Sequence, residues 1–307
     1  MKLRRVRVDG RLEVQREGPD GEWLPFPDPR PAPHPLGGPA FDAGWERAEA
    51  ERHAAASGEQ LPFQPLSFRD FLLYERHNID ASRGLVRRFH PGQYRVTRAV
   101  EAVTRRPFPL FRPRALFHRQ PLYYMSNHLA FVPSGTPVRP PDYTRALDYE
   151  LEIGFVLARP LLDATPEEAT AAIGAFVLVN DFSARDVQRA EMASGFGPQK
   201  AKHFANSMSA TAVTADEVLP RIDALTGSVA INGRTVSTVR SAGMRWTLGE
   251  VLAHASRGER LLPGELFGTG TLPGGSGMET GHWLRAGDTL TLTLDGIGEV
   301  RHPIAGD

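Results

Sequence analysis

Cysteine is absent from the 307-residue sequence. That excludes disulfides, a thiolate zinc site and a cysteine nucleophile. Long apolar runs are scarce as well. The longest, AIGAFVLV at residues 172–179, falls well short of the ~20 residues that a membrane-spanning helix needs. The N-terminus, MKLRRVRVDGRLEV, alternates apolar and polar residues and lacks the apolar core of a signal peptide. A soluble cytoplasmic protein, with no membrane partner, is therefore expected. An excess of charge of either sign is missing too: Lys plus Arg and Asp plus Glu number 36 each. Nucleic-acid-binding chains usually carry a basic excess, so no nucleic-acid partner is expected. Local arginine clusters, LRRVRV and the group around Arg98, Arg105, Arg106, Arg112 and Arg114, read as solvated faces or subunit contacts.

What is present divides unevenly. Residues 1–16 read as one or two short strands with a turn at Asp9-Gly10. A proline-rich stretch follows at 17–39, dense enough to preclude regular structure and to favour an extended segment, either a lid or a linker. A polar helix is expected near Phe41 to Ser57, and a boundary near residue 62. This gives a small N-terminal β domain with its linker, 1–62, and a large domain, 63–307. Apolar residues make up 41% of the chain, enough for a substantial core. Thr165-Pro166-Glu167-Glu168 and Thr247-Leu248-Gly249-Glu250 have the form of capping boxes, predicting a helix to about Ile173 and another ending near Arg257-Gly258. VAINGRTV (229–236) and DTLTLTLDGIGEV (288–300) predict hairpins. The expected fold is mostly β, of the α+β class.

The stretch DYELEIGFVLARPL, 148–161, has the pattern of a buried strand yet carries Glu150 and Glu152. Alternation places Tyr149, Leu151, Ile153 and Phe155 on one face and the two glutamates on the other. Two carboxylates so close repel unless one is protonated or a cation sits between them. Taken alone, E-x-E also fits a half-exposed strand with its charges in water. A third oxygen ligand favours a hard cation such as Mg²⁺ or Ca²⁺. The next apolar segment, Ile173 to Val179, ends in Asn180-Asp181-Phe182-Ser183-Ala184-Arg185-Asp186-Val187-Gln188. Asp181 can complete such a site, Ser183 can cap a short helix, and Arg185 and Gln188 share its face.

N-D-F-S-A-R-D-V-Q, preceded by D-Y-E-L-E, resembles the fumarylacetoacetate hydrolase family. The resemblance implies divalent-cation ligands at Glu150, Glu152 and Asp181. FRDFLLYERH (68–77) resembles the segment with one further metal Asp and the catalytic His, mapping to Asp70 and His77. QPLYYMSNHLAFVPSGTPVRPP (120–141) places a substrate-contacting Tyr at Tyr124. KAKHF maps the active-site Lys to Lys202, or to Lys200 if the loop register slips by two. GTGTLPGGSGMET (268–280) places a substrate-side Thr at Thr271 and the partner of the catalytic His at Glu279.

The implied fold is a mixed β-sandwich roll behind the small N-terminal β domain. The implied assembly is a homodimer, with the apolar 121–133 segment as an expected interface. The implied activity is hydrolysis of a C–C bond in a 1,3-dicarbonyl compound, an acylpyruvate or a fumarylacetoacetate-like oxo-acid, with Mg²⁺, Mn²⁺ or Ca²⁺ as cofactor. His77 would activate water, Glu279 would orient it, and Arg185, Gln188 and Lys202 would stabilise the oxyanion and the leaving enolate. Decarboxylation of a β-keto acid, keto–enol isomerisation and metal binding without turnover are the competing readings. Three substrate-side positions depart from the family pattern: Leu72, Asn127 and Met192 stand where it has Tyr, Arg and Tyr.

Overall fold

A computed structural model describes residues 1–9, 11–26, 52, 55 and 58–306. Its main element is an eleven-stranded sheet. Along the principal path the strands are β3 (Trp23–Pro25), β2 (Arg11–Glu17), β1 (Lys2–Val8), β12 (Thr211–Thr214), β9 (Ile173–Asp181), β8 (Leu151–Leu157), β15 (Leu266–Gly268), β4 (Phe68–Phe71) and β5 (Tyr123–Ser126). Off this path β11 (Asn206–Met208) pairs with β9 and with β6 (Phe131–Pro133). A four-stranded sheet runs β14 (Arg234–Arg240), β13 (Thr226–Ile231), β16 (Thr289–Leu294), β17 (Gly298–Pro303). A short pair joins β7 (Leu147–Asp148) to β10 (Ser183–Ala184).

The alternation of β8 has the expected sense, but both faces are buried. Leu151, Ile153, Phe155 and Leu157 share one apolar cluster with Val229, Leu290, Leu292 and Val300 of the four-stranded sheet, so the two sheets pack over a common core. Phe155 stacks on Phe267 at 5.5 Å. Each such buried aromatic contributes about 1.5–3 kcal/mol of transfer free energy. The opposite face carries Val156 with Val177, Val179 and Leu266 in a second cluster, and it also carries the acidic residues. Gly154 is required there, because a Cβ would lie 2.6 Å from Val179 and 2.8 Å from Val177.

Local signals resolve as local structure. Both capping boxes form, on helices Pro166–Ala171 and Leu248–Ala255. The first ends two residues early, because Ile173 already opens β9. Asn232 and Gly233, both at positive φ, turn β13 into β14. Strands β1 and β2 pair as a hairpin after Asp9, which also has positive φ. Their place in the sheet is non-local: β1 pairs with β12, which joins the strands of residues 1–26 to the large sheet. Within the proline-rich stretch, Trp23–Pro25 adds a short strand to β2, so proline density did not preclude regular structure there. Pro25 ends that edge strand, a position where a missing N–H costs little. The stretch from 27 onward and most of the expected Phe41–Ser57 helix lie outside the described residues. Among the described residues no helix is long and apolar enough to cross a membrane.

Two helices, Glu75–Phe89 and Pro91–Thr104, lie outside the expected elements, although Val96, Val100 and Val103 of the second follow the i, i+4, i+7 spacing of a helix. The first buries only His77, Ala81 and Gly84. Gly84 sets how closely it approaches the short helix Gly277–Thr280, since a Cβ would stand 1.7 Å from the Met278 carbonyl oxygen. Gly84→Ala is therefore expected to force the helices apart and to cost about 1–3 kcal/mol, as overpacking does. Urea unfolding measures this, and an unchanged midpoint would show that the contact is looser than drawn.

Candidate metal and catalytic site

Cross-strand pairing builds the site on one face of the large sheet. Asp70 of β4 lies opposite Tyr124 of β5 on one side and Gly268 of β15 on the other; Gly268 lies opposite Gly154 of β8. Glu152 is two residues from Gly154 on the same face. Glu150 sits just before β8, and its carbonyl accepts from the Asp181 N–H at the end of β9. Glycine at 268 leaves the centre open: a Cβ there would stand 2.8 Å from both Asp70 Oδ1 and Glu152 Oε2.

Asp70, Glu152 and Asp181 each bring a carboxylate oxygen within 4.8 Å of the others. All three are buried. Asp70 Oδ1, both Glu152 oxygens and Asp181 Oδ1 find no hydrogen-bond partner. Orphaned anionic oxygens, hard and convergent, are the donor set that a divalent cation of the Mg²⁺, Mn²⁺ or Ca²⁺ type fits. Glu150, expected in the same ligand set, is engaged on its other side. Its Oε1 accepts from Arg185 Nη2 at 2.7 Å, and its Oε2 contacts Lys202 Nζ. Lys202 also reaches Asp181 Oδ2, which accepts from the Tyr124 hydroxyl at 2.7 Å as well. Tyr124, read as a substrate contact, thus spends its proton on a carboxylate of the acidic centre.

The titration of these groups follows from burial. Desolvation pushes Asp70 up to about 6 and Asp181 up to about 7, with Lys202 opposing and the neighbouring carboxylates reinforcing. Glu152 is raised well above its ordinary range by burial and by the charges of Asp70, Glu150 and Asp181. Burial opposes ionisation of Glu150 too, but Arg185 and Lys202 outweigh it and hold that carboxylate low.

Arg185 opens the helix Arg185–Ser194 and is fully enclosed. Its Nε donates to Asp148 Oδ2 at 2.8 Å, its Nη1 to Gln188 Oε1 at 2.8 Å and its Nη2 to Glu150. Asp148 was missed as a site residue, although it extends the i, i+2 series of Glu150 and Glu152 backwards by one step. Ser183 does not cap this helix; its hydroxyl donates to the Asp181 carbonyl, and Ala184 is the N-cap residue, without a side-chain cap. The lysine alternatives separate cleanly: Lys202 is 2% exposed, whereas Lys200 is exposed and lies over the Tyr143 ring.

His77 lies in the first turn of Glu75–Phe89 and is buried. Its Nδ1 stands 3.0 Å from Glu279 Oε2, and its Nε2 stands 3.9 Å from Glu150 Oε1. Burial disfavours the imidazolium, but Glu279 and Glu150 outweigh it and raise the pKa. Glu279 is itself held, accepting from Gly274 N at 3.0 Å and from the Ser276 hydroxyl at 2.9 Å. Thr271 is buried on the loop between β15 and the helix Gly277–Thr280. Leu72 is half-buried, Asn127 donates to the His203 carbonyl, and Met192 is 55% exposed. None of the three supplies a cation for a substrate carboxylate.

Asp70 and Asp181 hold protons more tightly in the folded protein than in the unfolded chain. Their contribution to stability is therefore present below about pH 4 and is lost as pH rises through 6 and 7. The melting temperature of metal-free protein should fall across that window, and Mn²⁺ should remove most of the fall. Mn²⁺ uptake should also release protons, which calorimetry in buffers of different ionisation enthalpy detects. Proton-independent binding would show that the carboxylates are already ionised.

The family model described as Fumarylacetoacetate (FAA) hydrolase C-terminal matches residues 96–305. The mitochondrial oxaloacetate tautomerase of Rattus norvegicus is 28% identical over 186 residues, 60% of this chain and 81% of that protein. Two solved structures share the fold. The 5-carboxymethyl-2-hydroxymuconate delta-isomerase of Mycobacterium smegmatis has a TM-score of 0.66 at 20% identity, covering 99% of each chain. The fumarylpyruvate hydrolase of Pseudomonas aeruginosa, in complex with Mn²⁺ and pyruvate, has a TM-score of 0.58 at 19% identity, covering 82% of this chain and 93% of that one. With that family model matching 210 of its 307 residues, the chain belongs to the fumarylacetoacetate hydrolase family.

Proposed function

We propose that this protein is a divalent-metal-dependent hydrolase that cleaves a C–C bond in a 1,3-dicarbonyl oxo-acid of the acylpyruvate type. The observation that carries the reading is the buried His77–Glu279 pair, 3.0 Å apart, together with the unpartnered carboxylate oxygens of Asp70, Glu152 and Asp181. Hydrolysis needs a base for water and a sink for the carbanion that leaves. Mg²⁺, Mn²⁺ or Ca²⁺ held by those carboxylates, with Glu150 beside them, would supply Lewis-acid polarisation of the dicarbonyl.

The remaining work falls to side chains. His77 accepts the proton of the attacking water, and its raised pKa helps it keep that proton until the leaving carbon needs it. Glu279 Oε2 lies 3.0 Å from Nδ1, and a small rotation of the ring would align a proton there with the carboxylate, leaving Nε2 as the basic atom. After their contacts with Asp148, Gln188 and Glu150, the Arg185 guanidinium retains two of its five N–H donors. Lys202 retains one of three, and the Gln188 amide N–H₂ is unspent. These face the developing oxyanion and enolate, where one positioned donor is worth about 3–4 kcal/mol.

Keto–enol isomerisation or β-keto-acid decarboxylation is the second reading, supported by the tautomerase among the relatives. Decarboxylation needs no activated water, so the intact His77–Glu279 pair favours hydrolysis over it; keto–enol isomerisation would itself use a base and is separated from hydrolysis by the products formed. We also propose a cytoplasmic homodimer joined through the 121–133 segment, where edge strand β5 and the turn after it expose Tyr123, Met125 and Leu129.

A panel of acylpyruvates, fumarylacetoacetate and oxaloacetate, assayed with Mg²⁺ or Mn²⁺ and with EDTA, tests the reaction. Cleavage of a diketo acid should vanish with EDTA and should fall about 10²–10⁴-fold in His77→Ala, the range of general base catalysis. Oxaloacetate loss that survives His77→Ala, or enolisation of oxaloacetate, in either case with no diketo-acid cleavage, would replace the hydrolase with the second reading.

A further inference from the structure

Among the described residues, Asp148 is the one fully enclosed carboxylate next to the site to which the proposed mechanism gives no task. It is 0% exposed. Its Oδ2 accepts from Arg185 Nε at 2.8 Å and from Met278 N at 3.0 Å, and its Oδ1 accepts from Gly277 N at 2.8 Å. All three partners are donors, so only an acceptor on both oxygens satisfies them. An amide in the same place would turn an N–H₂ toward another N–H. The site is also closed to longer side chains. A Cβ on Gly277 would already lie 2.5 Å from Asp148 Oδ1.

These contacts join two elements that are distant in sequence. Arg185 carries the donors for the oxyanion and is tied to Glu150. Gly277 and Met278 open the short helix that carries Glu279, and Glu279 stands against His77. We infer that Asp148 is a positioning residue, which holds Arg185 and the Glu279 helix in one frame so that the base and the oxyanion donors face the same substrate atom. The inference rests on the roles proposed above for those two groups. It makes Asp148 a determinant of turnover through Arg185 and Glu279, not through contact with substrate.

The test is Asp148→Asn, with Arg185→Met and the double variant completing a cycle. Side-chain exchange of the Arg185 Nε–H, followed by NMR on ¹⁵N-arginine-labelled protein, supplies a readout independent of activity. Asp148→Asn should lower kcat by about 10–100-fold, the usual loss when a supporting partner is removed, and should leave KM within about threefold. Added to Arg185→Met, it should cost less than threefold more, because residues acting as a unit are non-additive. The Arg185 Nε–H should exchange slowly in the wild type and rapidly in Asp148→Asn. A kcat within threefold of wild type, additive losses or unchanged exchange would each overturn the inference. If Asp148→Asn does not fold, Asp148→Ser, which leaves less bulk in the same space, is read by the same criteria. If wild-type protein cleaves no diketo acid, the hydrolase reading fails on its own, and the exchange measurement alone decides for or against Asp148.

Discussion

The balance of charge inside one face of the large sheet governs the rest of this structure. Five carboxylates, Asp70, Asp148, Glu150, Glu152 and Asp181, are buried there, against two permanent cations, Arg185 and Lys202. Unpaired buried charge is among the most costly features a fold can carry. Arg185 settles Asp148 and Glu150, and Lys202 settles Glu150 and Asp181. What remains is concentrated on Asp70 Oδ1 and the two Glu152 oxygens, which have no hydrogen-bond partner. The sheet order, the small residues at 154 and 268, and the close helix at Gly84 serve to hold this imbalance in one small volume.

The two cations do different work. The guanidinium is a rigid fork held in three directions by Asp148, Gln188 and Glu150, so it organises its surroundings. The ammonium is a point charge on a flexible stem, reaching in from a loop between Arg185–Ser194 and β11. It is the one of the two with the freedom to give way were a dication to be held by Asp70, Glu152 and Asp181.

Much of the site was legible because its signals are local. The parity of Glu150 and Glu152, the motif that follows β9, both capping boxes and both hairpins depend on neighbours in sequence. The resemblance of the motifs then linked the segments. What escaped was set by contacts across the fold. The Glu75–Phe89 helix buries His77, Ala81 and Gly84, a small and partly polar stripe that its larger apolar residues, Ile79, Leu85, Val86 and Phe89, do not mark. Asp148 gains its meaning from Gly277, Met278 and Arg185, 37 residues or more away. The assignment of Glu150 to the cations' side, and of Tyr124 to Asp181, likewise needed three-dimensional placement. So did the lysine choice, which spacing leaves open by two residues and burial decides.

Strand β8 is buried at all seven positions, with β9 and β15 on either side. In most strands a shift of one residue trades a core face for a solvated one. Here the trade would be between two interiors. Glu150 and Glu152 would enter the apolar layer between the sheets, and Leu151 and Ile153 would be set among charged groups. Both errors are expensive, and they compound along the strand. The acidic centre thus acts as an alignment key for the sheet: the residues that equip the protein for chemistry also reject the neighbouring registers of its central strand.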